Sequence, residues 1–150
     1  TEGGLDAAGG HNQLKHFVSE LSGIGIRVSL FIEAEERQMD AAASLGAQVV
    51  EIHTGRYCDL ALAGDGPGRE KELDRIREAA RYATSLGLEV HAGHGLTFET
   101  VGGVAAIPEV VELNIGHFLI GEAIFSGLDS AMRRMRAQMD AARARLAGQA

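Results

Sequence analysis

Cysteine, positive charge and long apolar runs are what this 150-residue sequence has least of. Its one cysteine, Cys58, excludes a disulfide within the chain and fits a reducing cytoplasm. A formal net charge of −7 argues against a general nucleic-acid or membrane surface, but leaves room for a local phosphate site. No apolar run reaches membrane-spanning length, and the first residues carry no signal-peptide pattern. Lysine is scarce too. Lys15 and Lys71 both fall in helical stretches, so no lysine stands at a strand end for the Schiff-base chemistry of an aldolase. There is no HxH pair or HExxH helix, and no Walker or dinucleotide glycine pattern follows a strand. The chain opens on Thr1 rather than Met, which reads as a cut inside a longer protein.

Glycine and periodicity are what the sequence does have. Residues 1–10 are glycine-rich and read as loop. Leu14, Phe17, Val18 and Leu21 make a helical stripe over 11–22. Strands are expected at 26–32, 48–53, 88–91 and 110–115, and helices at 34–45, 69–86, 97–106 and 128–146. Residues 116–126 read as helical or mixed. Residues 54–68, with Gly64, Gly66, Pro67 and Gly68, read as one long loop carrying Cys58, which has no adjacent base and is not expected to be a nucleophile. Met132, Met135 and Met139 share a face of the last helix and read as core, whereas His11 and His16 read as solvent-facing.

Strand and helix alternate four times, and Gly25, Gly46 and Gly87 each stop a helix before the next strand. Such alternation means parallel strands joined by helical crossovers, and four units make half of a (β/α)₈ barrel. A flavodoxin-like open sheet is the alternative. Strand parity favours the barrel. Val28, Leu30 and Ile32, then Val50 and Ile52, then Leu88, Val90 and Ala92, then Leu113 and Ile115 form apolar faces suited to covering helices. Glu51 and His53, Glu89 and His91, and Glu112 and Asn114 form the opposite, polar faces, as a lumen beneath an active site requires. The expected architecture is one domain over 1–150, the C-terminal half of a barrel. Its edge strands need the missing half from preceding residues or from another chain.

Chemistry is expected at the strand ends. His94 stands between Gly93 and Gly95, where a backbone must turn tightly or approach a ligand, and an imidazole there can work as acid or base. Glu51 would stabilise developing positive charge or share a proton with His94; the competing reading ties it to backbone amides or to Arg56. Gly95, Gly116 and His117 lie on the last two strand-end loops, which in barrels often bind phosphate. His53, His91, His94, His117 and Glu51 are metal-ligand types, but their spacing does not ensure convergence, and no metal is expected.

Six segments carry a resemblance. TEGGLD (1–6), VSLFI (28–32), EIHTG (51–55), AGHGL (92–96), AIPE (106–109) and ELNIGH (112–117) are similar, in order, to the pyridoxine 5′-phosphate synthase family. The resemblance implies a (β/α)₈ barrel with extra helices, assembled as a cytoplasmic homo-octamer. It implies condensation of 1-deoxy-D-xylulose 5-phosphate with 3-amino-2-oxopropyl phosphate to pyridoxine 5′-phosphate, phosphate and water, without metal or organic cofactor. His94 then matches a proton donor and Glu51 a transition-state-stabilising carboxylate. Gly95, Gly116 and His117 match positions that bind the aminoacetone phosphate substrate. The 54–68 stretch departs from the family pattern and is expected at the rim. The family's first four strands have no counterpart here. They carry another catalytic histidine, a catalytic glutamate and most phosphate-binding arginines, so these residues alone are expected to be inactive. The non-catalytic alternative is a half-barrel that binds phosphate or serves in assembly.

Overall fold

In the computed structural model the described residues are 3–148; Thr1 and Glu2 of the first motif, and residues 149 and 150, lie outside them. The order is α1 (His11–Gly23), β1 (Ser29–Ile32), α2 (Glu36–Leu45), β2 (Val49–His53), α3 (Gly55–Leu62), α4 (Gly66–Ser85), β3 (Glu89–Gly93), α5 (Val101–Ala105), β4 (Val110–Asn114), α6 (His117–Ser126) and α7 (Leu128–Ala147). The four strands are parallel and lie side by side in sequence order, β1-β2-β3-β4. An α/β chain of this order is the half-barrel expected. Gly25, Gly46 and Gly87, with φ of 83°, 83° and 80°, take the left-handed turn that releases each helix into the following strand.

Side-chain alternation sorts the two faces as parity requires. Val28, Leu30, Ile32, Val50, Ile52, Leu88, Val90 and Ala92 are buried on the helix-covered face. Met39, Ala42 and Leu45 of α2 and Leu73, Ile76, Ala80 and Ala83 of α4 pack into the same core. On the other face Glu51, His91 and Glu112 stand opposite one another across β2, β3 and β4. The β3–β4 register shifts between Val90 and His91, and Val111, the extra residue of β4, is 63% exposed. A smaller core of Val101, Leu119, Ala131 and Met135 joins α5, α6 and α7.

Three expectations need correction. Residues 54–68 are not one loop. They form α3, and the turn at Gly64 hands directly to α4, whose N-cap Asp65 accepts from the Gly68 N–H at 2.9 Å, with a proline in the first helical positions. Cys58 is therefore a buried helical residue, not a loop residue. The 97–106 helix is only α5, because the Thr97 N–H is taken by Thr100 Oγ1 at 2.8 Å in a preceding turn. Of the methionine stripe, Met135 is buried and Met139 packs on the small core, but Met132 is half exposed on α7. His16 is exposed as expected, while His11 is only partly so and lies 2.6 Å from Ser44 Oγ.

One carboxylate ties four elements together. Glu33, just past β1, accepts from the Gly4 N–H at 3.1 Å and from His53 Nδ1 at 2.7 Å, and pairs with Arg75 of α4 at 3.6 Å. Burial pushes its pKa up, but the Gly4 amide, His53 and Arg75 outweigh that and hold it below the usual carboxylate value. A carboxylate depressed in the fold stabilises above its unfolded pKa, and that stability is lost as pH falls through the folded value. Denaturant stability should therefore decline below about pH 4.3, the ordinary glutamate value, and Glu33→Gln should flatten the decline. Asp6 and Glu89, both also held low, account for the slope that remains. Ile52, fully buried on β2, should cost about 2–5 kcal/mol as Ile52→Ala. By the same measurement exposed Ile124→Ala should change stability by about 0.5 kcal/mol or less.

Candidate active site

The carboxyl ends of β2 and β3 are fastened by one buried side chain. Thr54, which follows β2, donates its N–H to the Gly93 carbonyl at 2.9 Å. Its hydroxyl lies 2.8 Å from that same oxygen and 2.6 Å from the His94 carbonyl, so its one proton is shared between them. With both carbonyls held, the chain after β3 turns through two left-handed residues, His94 and Gly95, each with φ of 78°. Glycine adopts that conformation freely; a histidine does so at a cost of order 1–3 kcal/mol. A strained residue whose carbonyl is tied from a neighbouring strand points to function.

The strain puts the exposed His94 imidazole over the end of the sheet. Phe31 of β1 lies 6.2 Å away between ring centroids, and His53 of β2 lies 4.9 Å away. Glu51, two residues before His53, projects from the same face beneath the turn. Gly93 makes room for it, since a Cβ there would collide with Glu51 Oε1 and lie 2.8 Å from the Asn114 carbonyl. Among the described residues the Glu51 carboxylate has no hydrogen bond or ion pair, and Arg56 reaches Glu72 instead, at 3.5 Å. The reading that pairs Glu51 with Arg56 is thus overturned, because Arg56 lies on α3, against α4.

Gly116 and His117 arrive from the next strand end. Gly116 is the N-cap of α6 and His117 its first residue, so the helix begins at the cleft with its free backbone N–H groups and no acidic side chain in its first turn. Phe118, edge-on to Phe98 at 4.8 Å, holds that first turn against the β3–α5 loop, and Arg134 of α7 caps Phe98 at 4.0 Å.

Glu51, His94, Gly95, Gly116 and His117 line one cleft of about 600 Å³. All five expected positions therefore meet in space. Phe31 and Asn114 also line it, and neither was singled out, although strand parity already put Asn114 on the polar face. Glu33, His53 and Thr54 support the cleft from behind, and their part depends on partners 20 to 40 residues away in sequence. His91 sits lower on the same face, its Nε2 2.8 Å from Glu89 and its Nδ1 3.4 Å from Glu112, with Glu89 in turn 2.6 Å from Arg27. Burial raises the Cys58 thiol above its usual pKa, with a partial offset from Thr100 and Thr54, which keeps it protonated and inert. Among the described residues no group of three or more His, Cys, Asp and Glu is placed to hold a metal ion. No helix among them is long and apolar enough to cross a membrane.

A strained histidine, an unpaired carboxylate and a helix start on one cleft suit acid–base work on an anionic substrate, and comparison with known proteins points to a family. Residues 1–141 match the family model described as pyridoxal phosphate biosynthesis protein PdxJ. Similar curated proteins include pyridoxine 5′-phosphate synthases of Ruegeria pomeroyi (60% identical, over 96% of this chain and 58% of the relative), Roseobacter denitrificans (59%, over 96% and 58%) and Rhodospirillum rubrum (62%, over 95% and 56%). The chain thus spans less than three fifths of these relatives. On a match through nearly its whole length, the chain belongs to the PdxJ family of pyridoxal phosphate biosynthesis proteins.

Proposed function

We propose that the chain is the C-terminal half-barrel of a pyridoxine 5′-phosphate synthase, a single domain that supplies one side of the active site. The observation that carries this reading is that Glu51, His94, Gly95, Gly116 and His117 line the same cleft. The substrates are 3-amino-2-oxopropyl phosphate and 1-deoxy-D-xylulose 5-phosphate. The products are pyridoxine 5′-phosphate, inorganic phosphate and water, in a transferase-type condensation without metal or organic cofactor. The remaining strands come from preceding residues or from another chain, and the complete protein is a cytoplasmic homo-oligomer, an octamer by its resemblance to the family.

The chemistry suits the residues. Condensation of the amine with the ketone forms a carbon–nitrogen double bond and expels water. Loss of phosphate, addition of water and closure of the ring by a carbon–carbon bond follow, and several of these steps move a proton to or from carbon or oxygen. His94, exposed at the mouth of the cleft, delivers and recovers those protons. Glu51, with no cation paired to it among the described residues, offsets the positive charge of a protonated imine. The free N–H groups at the start of α6, with Gly95 and the His117 side chain, receive a substrate phosphate. Among the described residues no arginine lines the cleft. Counter-charge for a second phosphate then comes from the other half.

Two measurements test the proposal. The 150-residue chain should give no product from the two phosphorylated substrates, whereas joining the unmatched portion of the Ruegeria pomeroyi relative ahead of Thr1 should restore synthesis. Product from the isolated chain would overturn the half-site, and a folded chimera without activity would overturn the synthase. In the active chimera His94→Asn should lower kcat by about 10²-fold or more with the fold intact; turnover near that of the parent would remove His94 from acid–base work.

A further inference from the structure

His53 has no role in that chemistry, yet it is a buried imidazole anchored at one nitrogen beside the proposed proton carrier. It is 8% exposed at the end of β2, in contact with β1 through Phe31 at 5.2 Å and with the β3 turn through His94 at 4.9 Å. Its Nδ1 lies 2.7 Å from Glu33 Oε1. Glu33 is held in its ionised, acceptor-only form by the Gly4 amide and Arg75, so Nδ1 must be the donor and the ring cannot flip. At the far side of the ring, buried Nε2 has no hydrogen-bond partner among the described residues. It faces Gly55, where a Cβ would lie 2.6 Å from Nε2 and 3.1 Å from His94 Cδ2. The two imidazoles thus share a space that exists because residue 55 has no side chain.

His94 is the opposite case. Its backbone is strained and its carbonyl is tied, but its ring is exposed and makes no hydrogen bond of its own among the described residues. A proton carrier needs a defined ring direction, and misplacement by an ångström is costly. Within the residues described, the ring's aromatic neighbours are Phe31 and His53, and of these only His53 is anchored by a charged hydrogen bond.

We propose that His53, anchored by Glu33, is the positioning residue of His94, fixing the direction of its ring. The inference rests on the reading of His94 as proton carrier. The two rings meet edge to face, with centroids 4.9 Å apart and planes at 60°, so the direction of the anchored ring limits the directions open to the other. The other titratable or charged groups around them are Glu33 after β1, Glu51 on β2, Cys58 on α3, Arg75 on α4 and His117 at the start of α6.

Two substitutions separate an anchored ring from simple filling or stapling. His53→Phe keeps a ring but loses the bond to Glu33. His53→Asn keeps a donor near the Nδ1 position but loses the ring edge against His94. In the active chimera both should lower kcat about tenfold or more, with both KM values within about twofold of the parent. Wild-type kcat in either variant would overturn the proposal, Phe showing that His53 only fills space and Asn that it only staples β2 to Glu33. The second readout needs no activity. Proton–nitrogen correlation spectra of the histidine rings in the 150-residue chain should show a proton on His53 Nδ1 at neutral pH. The ring resonances of His94 should shift in each variant, because its edge-to-face neighbour or that neighbour's anchor is lost. Unmoved His94 ring resonances, or a His53 proton on Nε2 alone, would refute the positioning even if kcat fell. Retained activity in His94→Asn would instead sink the proton-carrier reading and leave the spectroscopic result standing.

Discussion

A buried threonine hydroxyl determines where this chain can do chemistry. Thr54 leaves β2 and reaches across to the last carbonyl of β3 and to that of His94 just after it, so the end of one strand is held by the end of the next. Held there, the backbone has no extended continuation, and His94 and Gly95 both turn left-handed. The turn throws an imidazole over the sheet and brings the following backbone alongside α3, where Gly95 comes so close to Cys58 that a Cβ would lie 3.1 Å from it. Parallel strands put all their carboxyl ends on one edge, and the Thr54 bonds convert that edge from a row of strand ends into a shaped mouth.

Behind the mouth lies a chain of charge that organises the left side of the sheet. Glu33 joins the N-terminal loop, β1, β2 and α4 through the Gly4 amide, His53 and Arg75, and Arg75 is bound again by Glu72 at 2.6 Å. Ion pairs on a surface are worth little, but these groups are partly to fully covered and hydrogen-bonded besides. Their value is geometric: they fix where His53 stands. The right side, β4 and α6, is held by smaller means, the Phe98–Phe118 pair and the core of Val101, Leu119, Ala131 and Met135. The rigid wall therefore carries Glu51 and His53, and the more lightly packed wall carries Gly116 and His117, the residues suited to receive an anion.

Much of this was readable from the residues. Alternation along 28–32, 48–53 and 88–93 identified the buried face, and the polar residues left over identified the cleft side. Gly-His-Gly after a strand identified the turn. The 54–68 stretch failed for a definite reason: three glycines and a proline within five residues outweighed the helical signal of Asp65 as N-cap and Pro67 in the first turn. α3 is eight residues long and is stabilised by burying Tyr57 and Cys58 rather than by its own propensity. The Met132 error has the same root. Helical period gives the direction of a side chain, while burial depends on whether another element lies in that direction.

By itself, then, the sequence determined what depends on neighbours in the chain: the alternation of strands and helices, their parallel sense, the apolar face of each strand, and the glycines on either side of His94. Tertiary structure decided what depends on groups far apart: that Thr54 ties residues 93 and 94, that Glu33 accepts the hydrogen bond of His53, that Arg56 turns away to Glu72, and that His94 packs against a second imidazole. Local propensity and side-chain alternation act over a few residues and leave a periodic trace. Hydrogen bonds between residues 20 to 40 positions apart are chosen by distance and angle once the sheet has formed, and they leave no such trace.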